Sequence, residues 1–123
     1  TIKRDILKKV YYLSTCDTCK RIFNEVNLPE EVEKQDIKTD AITASQLEEM
    51  HSLSGSYESL FSKRAQLYRQ RDLKNKDLQE NDFKDLILEH YTFLKRPVFI
   101  LGGEIFIGNS KKTVQAVKEQ LHG

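Results

Sequence analysis

Cys16 and Cys19 are the only two cysteines among 123 residues, and they stand three positions apart as Cys-Asp-Thr-Cys. Side chains at i and i+3 of a helix share one face, at a separation that a disulfide can span. Such a pair can exchange two thiols for a disulfide without unfolding the chain. In that chemistry one thiol attacks as a thiolate and the other resolves the mixed disulfide that results. Cys16 meets the helix start first, where N–H groups without intrahelical partners and the helix dipole favour a negative sulfur. It is the expected nucleophile, with Cys19 as the resolving thiol. Lys20 and Arg21 follow about one turn on and support a thiolate, whereas Asp17 opposes it.

Zinc is the competing use of a Cys-x-x-Cys pair, but such sites usually need a second pair of ligands. His51, His90 and His122 are the remaining candidates and none is paired at ligand spacing, so no metal is expected. An inert buried pair is the other alternative, and the strand-to-helix placement argues against it. His51 and His90 read as packing or surface residues on or beside amphipathic helix faces, and His122 as a solvated terminal residue.

Several elements must hold the dithiol. Lys9 to Leu13 is rich in β-branched and aromatic residues and reads as a buried strand. Ser14 or Thr15 is expected to cap a helix that begins near Cys16 and turns Ile22, Phe23 and Val26 inward. Leu28-Pro29-Glu30-Glu31 breaks that pattern, and Val32 to Lys38 reads as a second strand, giving a parallel βαβ unit. Next, Thr43 or Ser45 caps a helix bearing Leu47, Met50 and Leu53, ended by Gly55. Tyr57, Leu60, Phe61, Arg64, Leu67 and Tyr68 form a further helical stripe, interrupted by the basic group Ser62-Lys63-Arg64. Asp72 to Glu80 reads as a charged loop, and Asn81-Asp82 as the cap of a helix with Phe83, Leu86, Ile87 and Tyr91 inward. Pro97–Leu101 and Glu104–Ile107 are strands joined by Gly102-Gly103, a pair suited to the positive φ of a tight hairpin. Asn109-Ser110 caps a last helix with Val114, Val117 and Leu121 inward. The expectation is one α/β domain over residues 1–123, with a helical insertion between βαβ and ββα halves.

Formal net charge is +1, so no overall field recruits nucleic acid or a membrane surface. The basic residues from Lys63 to Lys76 read as a solvated face. No apolar run reaches membrane-span length, and the first ten residues lack the apolar core of a secretory leader. A cytoplasmic location is expected.

Tyr12-Leu13-Ser14-Thr15-Cys16-Asp17-Thr18-Cys19-Lys20, the helical insertion, Leu94-Lys95-Arg96-Pro97-Val98 before a hairpin, and Ile107-Gly108-Asn109 after it together resemble the ArsC/Spx family, from Val10 to Leu121. The resemblance implies a thioredoxin/glutaredoxin-like mixed sheet with the helical insertion beside the active site. It implies a structural Pro97 after a cis peptide bond, with Arg96 brought near the thiols. By resemblance, Arg96 stabilises the thiolate or an anionic substrate, and Arg64 and Lys20 support anion binding. The implied reductant is glutathione, glutaredoxin or thioredoxin, with no bound cofactor. The arsenate reductase branch carries Arg-Pro where Ile107-Gly108 stands, and a small or hydroxyl residue in place of Cys19. The Spx branch shares the Cys-x-x-Cys, the Ser62-Lys63-Arg64 group, Arg96-Pro97 and Gly108, and implies a redox-sensing regulator that binds the RNA polymerase α-subunit. The leading expectation is a thiol–disulfide oxidoreductase. The redox-sensing regulator stands second and a glutaredoxin-coupled arsenate reductase third, without direct nucleic-acid or membrane contact.

Overall fold

The computed structural model describes residues 8–122, so the stretch read for a leader lies, through residue 7, outside the described residues. In chain order the elements are β1 (Lys8–Tyr12), α1 (Asp17–Glu25), β2 (Glu33–Asp36), α2 (Ala44–Ser54), α3 (Gln66–Gln70), α4 (Glu80–Glu89), β3 (Val98–Leu101), β4 (Glu104–Ile107) and α5 (Lys111–His122). They fall into two compact units, residues 8–40 with 96–122, and residues 41–95.

The first unit is a four-stranded sheet in the order β2-β1-β3-β4. β1 pairs in parallel with β2, Val10 opposite Lys34, and antiparallel with β3, Val10 opposite Phe99. The α1 crossover explains the first pairing, because parallel neighbours cannot be joined by a tight turn. The hairpin turn explains the β3–β4 pairing: Gly102 and Gly103 adopt φ of +58° and +88°, which side chains disfavour. Ile22 of α1 and its C-cap Val26 pack with Val114 and Val117 of α5 against Val10, Phe99 and Leu101 of the sheet. Each such burial stabilises the fold by about 1.5–3 kcal/mol. Ser110 caps α5, its Oγ accepting the Thr113 N–H at 3.2 Å. His122 is exposed, as expected, and its Nε2 also donates to the Val26 carbonyl at 2.8 Å.

The second unit is helical. Thr43 caps α2 in a reciprocal box with Gln46, at 3.1 Å in each direction, and Gly55 ends it at φ +86°. The helical stripe expected from Tyr57 to Tyr68 is broken around the basic group Ser62-Lys63-Arg64, and only Gln66–Gln70 is α-helical. A 3₁₀ turn spans Glu58–Leu60, and Phe61 is extended and bridges to Leu94. Ser62 N–H donates to Phe93 O at 2.7 Å, and Lys95 N–H to Leu60 O at 2.8 Å. Those partners lie over thirty residues away and outcompete the local helical bonds. Phe61 thereby reaches an aromatic group, its ring centroid 4.8 Å from Phe83 and 5.2 Å from Phe93. α4 begins earlier than Asn81-Asp82 suggested. Asp82 occupies the third helical position, and its carboxylate accepts the Gln79 N–H at 2.8 Å. Tyr91 falls on a separate 3₁₀ turn, because His90 is extended and ends α4.

Candidate active site

β1 leads straight into the dithiol. After Tyr12 the chain turns, with the Cys16 N–H donating to Leu13 O at 3.0 Å. Cys16 itself is the N-cap of α1, extended at φ −92° and ψ 113°, and its carbonyl accepts the Lys20 N–H at 3.3 Å. Neither Ser14 nor Thr15 caps the helix. Ser14 is held from the other side, its N–H donating to Asp36 Oδ1 at 3.3 Å, and the N-cap position falls to Cys16.

Both cysteines are free; Cys16 is half-buried and Cys19 fully buried. Burial on its own would raise the Cys16 pKa. That cost is outweighed by the Cys19 N–H, the Cys19 thiol, the Thr18 N–H and the positive charge of Arg96, so Cys16 lies below the ordinary thiol value. Cys19 goes the opposite way. Burial is the largest cause, opposed by a hydrogen bond from the Leu13 backbone, while the neighbouring Cys16 anion and its hydrogen bond add to the rise. The Cys19 thiol is pushed up to about 11. One geometry thus separates two identical groups: Cys19 is the S–H donor and Cys16 the sulfur that accepts.

Arg96 reaches this site through the sheet. The antiparallel register sets Tyr11 opposite Val98, which runs the segment after β1 alongside the segment before β3. Arg96 is half-buried there, the Arg96–Pro97 bond is cis, and the guanidinium charge acts on both thiols. Pro97 is buried, and its carbonyl accepts the Gly108 N–H at 2.9 Å. Cys16, Cys19 and Arg96 are therefore brought together. Lys20 is exposed on the first turn of α1. Arg64 belongs to the second unit, exposed in the turn between Phe61 and α3 rather than on a helix.

Asp36 escaped the sequence reading. Its Oδ1 accepts the N–H of Ser14 and, at 3.2 Å, that of Lys38; the Ser14 hydroxyl is the largest influence holding its pKa below the ordinary carboxylate value. The available signal was positional: β2 runs parallel to β1, so its last residue sits level with Tyr12, next to the loop that carries the thiols. Among the described residues no group of three His, Cys, Asp or Glu side chains could hold a metal ion. No helix of them is long and apolar enough to cross a membrane.

A model of the ArsC family matches residues 11–117, which takes in the dithiol, Arg96-Pro97 and most of α5. The chain belongs to the ArsC family. Solved structures share its fold. The arsenate reductase from Vibrio cholerae superposes with a TM-score of 0.74 at 14% identity, covering 93% of this chain and 97% of that one. An arsenate reductase (ArsC) related protein from Brucella melitensis gives 0.67 at 19% identity, over 89% and 92%. A Staphylococcus aureus COL protein gives 0.69 at 25% identity, over 89% and 96%. No curated protein matches the sequence. The four-stranded mixed sheet flanked by helices is the thioredoxin-like fold of this ArsC family member, and the family is of thiol oxidoreductase type.

Proposed function

We propose that this ArsC family protein is a dithiol oxidoreductase that reduces disulfides through Cys16 and Cys19. The observation that carries the reading is the placement of the two thiols, Cys16 half-buried at the α1 N-cap, which favours a lowered pKa, and Cys19 buried, which favours a raised one. The Cys16 thiolate attacks one sulfur of a substrate disulfide, forming a mixed disulfide and expelling the other substrate sulfur as a thiolate. Arg96 stabilises the negative sulfur before attack and accommodates an anionic leaving thiolate or substrate group. Bonding at Cys16 removes its charge, and with it one of the influences that hold the Cys19 proton. Cys19 then loses its proton and attacks the Cys16 sulfur, releasing the second substrate thiolate. The substrate gains two electrons and the protein keeps an intramolecular disulfide, which glutathione, glutaredoxin or thioredoxin reduces back.

Lys20 fits a supporting role as an exposed cation for anionic substrates approaching α1. Arg64 is proposed as a second anion contact on the strength of the Ser62-Lys63-Arg64 group. The test is a coupled assay comparing glutathione mixed disulfides, protein disulfides and arsenate, with Cys16→Ser and Cys19→Ser alongside. Disulfide turnover lost in both variants supports the dithiol route. Turnover of arsenate that survives in Cys19→Ser would replace it with a one-cysteine mechanism. No turnover of any substrate, with RNA polymerase α-subunit captured in only one redox state, would replace it with redox sensing.

A further inference from the structure

Leu13, Ser14 and Thr15 join β1 to Cys16, and one point of that loop is held by the end of β2. That point is Ser14. Its N–H donates to Asp36 Oδ1 at 3.3 Å, and its hydroxyl also bonds the same carboxylate. Asp36 is itself fixed. The same Oδ1 accepts the Lys38 N–H at 3.2 Å, and the Asp36 carbonyl accepts the Asp40 N–H at 2.8 Å. On the near side, Ile37 N–H donates to Tyr12 O at 2.9 Å, so the end of β2 is tied to the end of β1 immediately before the loop. The turn then closes through the Cys16 N–H and Leu13 O. Loop and helix cap are thus a short span between two fixed ends.

We propose that Asp36 is a positioning residue for the nucleophile: its carboxylate pins Ser14 so that Cys16 stays at the N-cap of α1. The inference rests on Cys16 being the nucleophile of the proposed dithiol chemistry. Positioning and simple electrostatics make opposite forecasts here. An Asp36 carboxylate acting only through its charge would disfavour a nearby thiolate, so removing it would make Cys16 more reactive. A carboxylate acting as an anchor favours the thiolate, so removing it makes Cys16 less reactive.

The experiment is the rate of iodoacetamide alkylation of Cys16 in the full chain from pH 5 to 10, with the label located by peptide mass. It compares wild type, Asp36→Ala, Asp36→Asn and Ser14→Ala. Asn keeps an oxygen that accepts the Ser14 N–H but carries no charge. The expected result is a Cys16 rate at pH 6 slowed about three- to tenfold in Asp36→Ala, the scale of one lost hydrogen bond. Asp36→Asn should recover most of that loss, and Ser14→Ala should fall between. Rates in all chains should converge in alkali, where every Cys16 is ionised. Equal or faster labelling in Asp36→Ala overturns the proposal. Should Asp36→Ala fail to fold, wild-type rates in Ser14→Ala together with a slow Asp36→Asn overturn it equally. A wild-type Cys16 that titrates as an ordinary thiol instead removes the dithiol reading itself, which separates the two failures.

Discussion

Replacing Cys16 with serine should make Cys19 more reactive, although the substitution deletes the nucleophile. Cys19 is pushed up to about 11, so at pH 7 about one chain in 10⁴ carries it as thiolate. At the ordinary thiol value of 9.0 the figure would be about one in 100, which bounds any gain at about a hundredfold. Burial is the largest cause of the rise and survives the substitution, whereas the Cys16 charge does not. Relief of the charge alone is expected to speed Cys19 about three- to tenfold. The assay is pseudo-first-order alkylation at pH 7–9 with the label mapped by mass, counting in wild type only chains still unlabelled at Cys16. Amide exchange of α1 is followed in parallel, because a loosened helix would also expose Cys19. Cys19 labelling that is equal or slower in Cys16→Ser, or faster only in proportion to lost α1 protection, refutes the reasoning.

Three further outcomes follow from other parts of the molecule. Arg96→Gln removes a charge that lowers the Cys16 pKa, so Cys16 alkylation below neutral pH should slow about two- to tenfold and match wild type in alkali; a uniform loss at every pH would point to lost access instead. Ile22→Ala leaves a cavity where α1 meets the sheet at a fully buried position, and urea unfolding should report a loss of about 2–5 kcal/mol. The Glu80 carboxyl is held below its ordinary value of 4.5, first by the Tyr57 N–H, then by the Glu58 N–H and the Ser56 hydroxyl. A depressed folded pKa contributes stability above 4.5 and loses it as pH falls through the lowered value. Glu80→Gln should therefore flatten stability against pH in the acid range below about 5, and an unchanged acid limb would count against that anchor.

Local pattern carried much of the architecture. The spacing of Ile22 and Val26 marked the buried face of α1, and Thr43, one of two cap candidates with Ser45, marked the start of α2. Gly102-Gly103 marked the hairpin because few other residues accept two consecutive positive φ values. Pattern failed where distant backbone decides. Phe61 sits in a helical stripe by sequence, yet its neighbours bond Phe93 and Lys95, a competition no local window contains. The dithiol was legible as two sulfurs three apart, but the partnership of Cys16 with Arg96 was not. It depends on β1 and β3 being antiparallel neighbours, and only the family resemblance supplied that expectation. Asp36 was invisible for a similar reason. Its role depends on the end of β2 lying level with the end of β1, and a lone carboxylate in a charged stretch carries no such mark.

The most direct measurement is to expose the reduced protein to glutathione disulfide, quench with acid at intervals and map each sulfur by mass. The account predicts glutathione bonded first and only to Cys16, then released as a Cys16–Cys19 disulfide grows and the chain becomes two hydrogens lighter. A lasting glutathione adduct on Cys16 with no intramolecular disulfide, or an adduct that forms first on Cys19, would contradict it.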